Sequence, residues 1–271
     1  MHLVDYHVHT KRCGHARGED RQYIEAAIEK GLKEIGFSDH IPLYYQADQG
    51  KKISNRGMPR AALDDYVESI TGLKAAYPEI TMKMGLEIDV APGWEETLTE
   101  LIAPYPWDYL TSAVHFISKW DYHYISYDTD HTVAEIYEAY FDQVAVGAES
   151  GLFDILGHID LPRRFFPRLA EDRMNDLYRS LAIRLGKTHT TVELNTYGVR
   201  SSKQGDVGVF PDEQLLRMLR RHGVNVTLGS DAHSPSEVGA DFDRAVERLR
   251  VVGYDRIVCF TKRKASLVEW G

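Results

Sequence analysis

Short strand-like runs recur along this chain, and nearly every one ends on a histidine or a carboxylate. The first, His2-Leu3-Val4-Asp5-Tyr6, leads into His7-Val8-His9, with His15 six residues on. The same event returns at Ser38-Asp39-His40, Gly85-Leu86-Glu87, Ala113-Val114-His115, Leu156-Gly157-His158 and Ser230-Asp231-Ala232-His233. Functional groups at successive strand ends need a fold in which those ends meet, and the C-terminal face of a β/α barrel is the common solution. Neutral imidazole and carboxylate are together the donors that divalent transition metals take. The pattern therefore reads as a metal site gathered from the whole length of the chain.

Periodicity supports that fold class. Strand signals fall near 2–6, 33–38, 80–87, 108–114, 153–157, 191–195, 225–229 and 256–260. Amphipathic helix signals lie between them, near 20–30, 60–76, 94–103, 132–148, 171–186, 212–222 and 236–251. Alternation of this kind predicts a parallel sheet with right-handed crossovers. A doubly wound open sheet would concentrate its site at one switch point; ligands at nearly every strand end favour closure into a barrel. No internal repeat, low-complexity tract or linker interrupts the pattern, so residues 1–271 read as one α/β domain. Residues 41–59 read as a long loop, with Gly50, Gly57 and Pro59, of the kind that serves as a lid or substrate-binding element.

With 271 residues and 43% apolar content the chain can bury a full barrel core. Its net charge of −9 disfavours a nucleic-acid partner, which would call for a basic stripe. The short basic clusters at Arg217, Arg220 and Arg221 and at Lys262-Arg263-Lys264 read as solvated faces and ends of elements. No apolar run reaches the roughly 18 residues of a membrane span, and no signal-peptide pattern precedes His7. Two cysteines, Cys13 and Cys259, are too few for a disulfide framework. The expectation is a cytoplasmic protein.

Residues two apart on a strand share a face. His7 and His9 thus project together, as do Asp231 and His233. Seven of the twelve histidines, at 7, 9, 15, 40, 115, 158 and 233, fall at or just past strand ends with Glu87 and Asp231. The other five, at 2, 123, 131, 189 and 222, do not, and read as surface or incidental residues. Cys13 reads as a small buried apolar residue, with a thiolate ligand as its alternative.

His7-Val8-His9-Thr10, Cys13-Gly14-His15-Ala16, Gly36-Phe37-Ser38-Asp39-His40, Gly85-Leu86-Glu87, His115, Gly157-His158-Ile159-Asp160, Glu193-Leu194-Asn195-Thr196 and Gly229-Ser230-Asp231-Ala232-His233 carry a resemblance. In this order they resemble the motifs of the polymerase-and-histidinol-phosphatase (PHP) superfamily, and within it the histidinol-phosphate phosphatases of histidine biosynthesis. The resemblance runs from residue 3 to about 240. It implies a distorted, TIM-like (β/α)7 barrel with three divalent metals. His7, His9, Glu87 and Asp231 would hold the first; Glu87, His115 and His158 the second; His15, His40 and His233 the third. Zn, Fe and Mn all suit such donors.

Clustered divalent cations suit hydrolysis of a phosphomonoester such as L-histidinol phosphate, by attack of a metal-bridging hydroxide on phosphorus. The phosphoryl oxygens would then want a guanidinium. Arg163 and Arg200, which follow strand ends, are the expected phosphate contacts, with Lys203 nearby and Arg164 pointing away. Asp39 and Asp160 are candidates for the general acid or for orienting a ligand. Glu193 could hold a ligand or contact the substrate amine, and Tyr197, Tyr44, Tyr45 and Asp48 could contact the rest of the substrate. Three other readings compete: a phosphoesterase of the same superfamily acting on another small phosphate or nucleotide, a PHP nuclease, and a metal-binding protein without catalysis. The acidic charge weighs against the nuclease, and the arginines weigh against simple storage.

Overall fold

The structure, a computed structural model, describes residues 1–41, 57–126, 129–201 and 205–271. Seven strands form one sheet: β1 (Val4–Val8), β2 (Glu34–Ile41), β3 (Thr81–Asp89), β4 (Thr111–Ala113), β5 (Ile155–Leu156), β6 (Thr191–Asn195) and β7 (Asn225–Gly229). They neighbour one another in chain order, and every pairing is parallel. The ring closes where Val8 meets Ala232 just past β7, through His9 N to Ala232 O at 2.9 Å and Ala232 N to His7 O at 3.1 Å. The result is a nearly closed barrel.

Alternation along the strands explains what faces where. On β2, Ile35 and Phe37 point outward and are fully buried, while Ser38 and His40 point into the barrel; on β3, Met84 and Leu86 alternate with Gly85 and Glu87. The outward row packs under helices, with Tyr23 of α1 (Asp20–Glu29) meeting Phe37 edge-on. Each such large apolar side chain contributes about 1.5–3 kcal/mol by leaving water. Further crossover helices are α2 (Leu63–Ala76), α3 (Glu95–Ile102), α4 (Val133–Glu149), α5 (Glu171–Leu185), the single turn α6 (Tyr197–Arg200), α7 (Glu213–Arg221) and α8 (Phe242–Val252). Local chemistry sets their starts: α4 opens on a capping box in which Thr132 and Glu135 exchange bonds.

Two expectations change. The run at 256–260 does form a strand, β8 (Arg256–Thr261), but it stays out of the parallel ring. It pairs antiparallel with β9 (Lys264–Glu269), and Thr227 and Lys83 at the lower end of the barrel bond to its Val258 O and Thr261 Oγ1. Only the two-residue turn Lys262–Arg263 separates β8 from β9, which dictates a hairpin. Helix α8 begins at Phe242 rather than near 236, because Pro235–Glu237 makes a 3-10 turn and Asp241 lies at φ +59°. Among the described residues, no helix is long and apolar enough to cross a membrane.

One irregularity matters for the site. Asp5 of β1 pairs with Ile35, yet Val8 pairs with Phe37, so three steps on β1 match two on β2. This bulge resets the alternation. Tyr6 packs against Tyr109 and Phe260 low in the barrel, while His7 and His9 both reach the cluster above.

Candidate metal centre

The nine residues expected as ligands converge at the C-terminal mouth, and Glu87 stands at their centre. Its register partner on β2 is His40, whose Nδ1 lies 2.6 Å from Glu87 Oε2. His7 Nε2 and His9 Nε2 approach the same oxygen at 3.4 and 3.6 Å. On the other oxygen, His158 Nε2 stands at 2.9 Å and His115 Nε2 at 3.7 Å. Asp231 Oδ1 lies 3.1 Å from His9 Nε2 and 3.8 Å from His7 Nε2. At the outer rim, His15 and His233 bring their Nε2 atoms to 2.9 Å, and His40 completes a trio with them.

These residues fit divalent cations. His7 Nε2 and Glu87 Oε2, both turned into the cluster, are buried without a hydrogen bond of sound geometry among the described residues, although His40 Nδ1 stands close to the carboxylate. Leaving such atoms unpaired costs about 1–3 kcal/mol each. Two donors bound to one ion at about 2.1 Å stand roughly 3.4 Å apart in tetrahedral geometry, which is the spacing around Glu87. His7 with Glu87 and His158, and His7 with His9 and Asp231, each place three donor atoms within 4.8 Å of one another.

The electrostatics suit the same role. Burial alone would raise the Glu87 and Asp231 carboxyls, but the facing imidazoles hold both well below the usual carboxylate range. Burial, helped by His233 and His40, keeps His9 well below the ordinary imidazole value, so its ring is neutral. His7 and His115 are pushed the other way. Burial opposes their protonation, but Glu193, Glu87 and Asp231 outweigh it at His7, and Asp89 and Glu87 raise His115 to about 9. A cation seated here competes with those protons for the same lone pairs.

Two donor residues are held in uncommon backbone: His158 at φ +28° and Asp231 at φ +57°. Such conformations cost about 1–3 kcal/mol and persist where surroundings enforce them. The His158 peptide is gripped on both sides, its carbonyl accepting from Tyr140 Oη and Leu161 N and its N–H donating to Glu193 Oε2 at 3.0 Å.

Glu193 is placed differently from a substrate contact. It is buried beneath the cluster, with Oε1 2.6 Å from His7 Nδ1 and Oε2 accepting from His158 N and Asn195 Nδ2. That fixes the His7 tautomer with Nε2 turned to Glu87. Only glycine leaves room for it at 229, where a methyl would overlap Glu193 Oε1. Asp39 and Asp160, the general-acid candidates, are both fully buried. Asp39 accepts from Thr10 N at 2.7 Å and from the Thr10 hydroxyl, with His9 Nδ1 3.8 Å away. Burial pushes its carboxyl up to about 7. Asp160 accepts from Arg163 and from Asp212 N and faces away from the cluster.

Arg163 and Arg164 point in the opposite directions to those expected. Arg163 bonds Asp160, Val207 O and Val209 O, and does not line the cavity. The 3-10 turn Leu161–Arg164 sends neighbouring side chains in different directions, and buried Asp160 takes Arg163 as its counter-charge. Arg164 therefore faces the cavity, 4.8 Å above the Tyr197 ring. Arg200 lies on Tyr197 too, at 5.4 Å, but bonds Ser230 O and the Thr196 hydroxyl and lies near Asp241, so it braces the backbone leading to Asp231. Lys203, Tyr44, Tyr45 and Asp48 lie outside the described residues.

A cavity of about 230 Å³ opens over the cluster, lined by His15, His40, His115, His158, Asp231 and His233 together with Asp89, Phe116, Tyr124, Leu161, Arg164 and Tyr197. Asp89 was not singled out from the sequence, although it sits two residues beyond Glu87 and shares its strand face. Its Oδ1 accepts from His115 N at 2.8 Å and stands 3.1 Å from His115 Nδ1. Cys13 is buried as expected, its Sγ accepting from Ala16 N, and burial pushes its thiol up to about 12.

A seven-stranded parallel barrel that collects imidazoles and carboxylates at one mouth defines a class: barrel proteins that build divalent-cation sites from strand ends. The chain belongs to the PHP family, whose PHP domain model matches residues 5–197. It is 33% identical over 268 residues to a probable histidinol-phosphatase of Deinococcus radiodurans, covering 97% of this chain and 98% of that one. It is 28% identical to a histidinol-phosphatase of Bacillus subtilis, covering 92% of this chain and all of that one. The fold is similar to that of a histidinol phosphate phosphatase from Lactococcus lactis complexed with Zn, L-histidinol and phosphate, with TM-score 0.81, 20% identity and 97% and 98% coverage.

Proposed function

We propose that this chain is a metal-dependent phosphomonoesterase that converts L-histidinol phosphate and water to L-histidinol and phosphate. The observation that carries the reading is the juxtaposition of nine ligand-type side chains with the cavity-facing guanidinium of Arg164. Relatives named histidinol-phosphatase that align along nearly the whole chain support the substrate.

Three divalent ions, Zn, Fe or Mn, would be shared among His7, His9, Glu87 and Asp231, then Glu87, His115 and His158, then His15, His40 and His233. Bound there, they supply Lewis acidity that activates water near neutral pH and offsets charge on the phosphoryl oxygens. The chain does the positioning. Glu193 and Asp89 lock the His7 and His115 rings, and Asp39 stands behind His9. Arg164 offers the planar fork that phosphate oxygens accept, and Tyr197 sets its plane. Phe116 and Tyr124 supply aromatic wall for an imidazole, and Asp89 supplies negative charge for an amine. Burial keeps Asp39 and Asp160 from touching the ester, so the leaving group takes its proton from elsewhere.

The test is turnover of L-histidinol phosphate against other small phosphomonoesters on metal-replete protein. A preference of at least a hundredfold in kcat/KM, about 2.7 kcal/mol, is expected. Equal turnover across the panel would contradict the substrate, and no phosphate release from any ester would contradict the reaction.

A further inference from the structure

A second group of metal-type donors lies at the other end of the barrel. His2 precedes β1, Glu34 opens β2, and Cys259 sits on β8. Their donor atoms all fall within 4.8 Å of one another. His2 Nε2 stands 3.8 Å from Glu34 Oε1 and 3.8 Å from Cys259 Sγ. We propose that His2, Glu34 and Cys259 bind one thiophilic divalent cation of the zinc class, at a site separate from the catalytic cluster.

Three features favour a cation over a chance meeting. First, nitrogen, oxygen and sulfur donors around one tetrahedral zinc stand roughly 3.3–3.8 Å apart, so the observed spacing needs little adjustment. Second, Glu34 is oriented: its Oε2 accepts from Tyr6 Oη at 2.5 Å and lies 3.5 Å from Lys83 Nζ, which turns Oε1 toward His2. The Lys83 ammonium is itself occupied, donating to Thr261 Oγ1 at 2.6 Å, and it offsets the carboxylate and thiolate charge beside the ion. Third, the backbone is already fixed. His2 N donates to Trp270 O at 2.8 Å, and Phe260 N donates to Tyr6 Oη at 3.3 Å.

Cys259 is buried and the His2 side chain is 34% exposed, so the site opens to solvent on the imidazole side and leaves a fourth position for water. Burial pushes the Cys259 thiol up to about 11, and binding therefore releases its proton. The ion would tie the first residues of the chain and the C-terminal hairpin to the start of β2.

The chain has two cysteines, and Cys13 lies beside His9 and His233 of the catalytic cluster. Cobalt can therefore report which sulfur binds. Protein loaded with Co(II) at every site is expected to show sulfur-to-cobalt charge-transfer absorption. That absorption should persist in Cys13→Ser and vanish in Cys259→Ser, with one fewer ion per chain and phosphatase turnover within twofold of wild type. His2→Ala, at a partly exposed residue outside the apolar core, should weaken cobalt binding at this site at least tenfold and covers the case in which Cys259→Ser fails to fold. Absence of thiolate absorption from wild type, its loss in Cys13→Ser alone, or an unchanged ion count in Cys259→Ser and His2→Ala would overturn the proposal.

Discussion

Two layers of the barrel interior, both buried, are built on opposite rules. In the lower layer the phenol tips of Tyr6 and Tyr109 are paired within the protein. Tyr109 Oη donates to Tyr6 O at 2.8 Å, and Tyr6 Oη to Glu34. In the layer above, His7 Nε2 and Glu87 Oε2, both turned into the cluster, have no such partner among the described residues. The lower layer is complete as protein and serves stability. The upper layer leaves donor atoms of the kind that cations take, and the proposed chemistry is assigned to it. Burial does not separate the two, but hydrogen-bond accounting does.

Substitutions can set the layers against each other. The largest effect should come from His9→Ala in the upper layer: a loss of turnover of at least a thousandfold, about 4 kcal/mol, with lowered metal content and an unchanged circular-dichroism spectrum. Retained turnover would erase the distinction. Gly85→Ala in the lower layer should do the reverse, since its methyl would overlap the Tyr109 ring. We expect about 2–3 kcal/mol lost in denaturant unfolding, with normal kcat in the folded fraction. Glu193→Gln lies between the layers, keeping a side chain of the same shape but weakening its hold on His7. A 10- to 100-fold loss of metal affinity is expected by equilibrium dialysis, with little change in folding. The smallest effect separates the paired arginines. Arg164→Ala should lower kcat/KM about tenfold, about 1.4 kcal/mol, with Tm unchanged, whereas Arg163→Ala should lower Tm by stranding Asp160.

Much of the upper layer was legible in the sequence because its donors recur at strand ends and because β-strand parity is simple. His7 with His9 required only the two-residue repeat, whereas Asp231 and His233 lie past the end of β7, with Asp231 at φ +57°, and meet through a loop that strand parity does not describe. The bulge in β1 was not legible: strict alternation would put His7 on the same face as Asp5, and one extra residue decides otherwise. Arg163 and Arg164 were exchanged for a similar reason, since a 3-10 turn gives no periodic signal in four residues. Glu193 was visible as a carboxylate on a strand face, but whether it met His7 or the substrate depended on depth, which no spacing encodes. Asp89 could have been found by applying to Glu87-Ile88-Asp89 the parity used for His7-Val8-His9. The strand at 256–260 was recognised, but its exclusion from the ring follows from the closing bridge between Val8 and Ala232, which occupies the edge it would need, and no local pattern encodes that.

The central claim is that the upper layer holds divalent ions and uses them to split a phosphate ester. The most direct measurement is phosphate release from L-histidinol phosphate before chelation, after exhaustive chelation, and after divalent metal is restored, with metal content measured at each stage. The account predicts that activity and bound metal disappear and return together. Undiminished phosphate release from protein shown to be metal-free would contradict it.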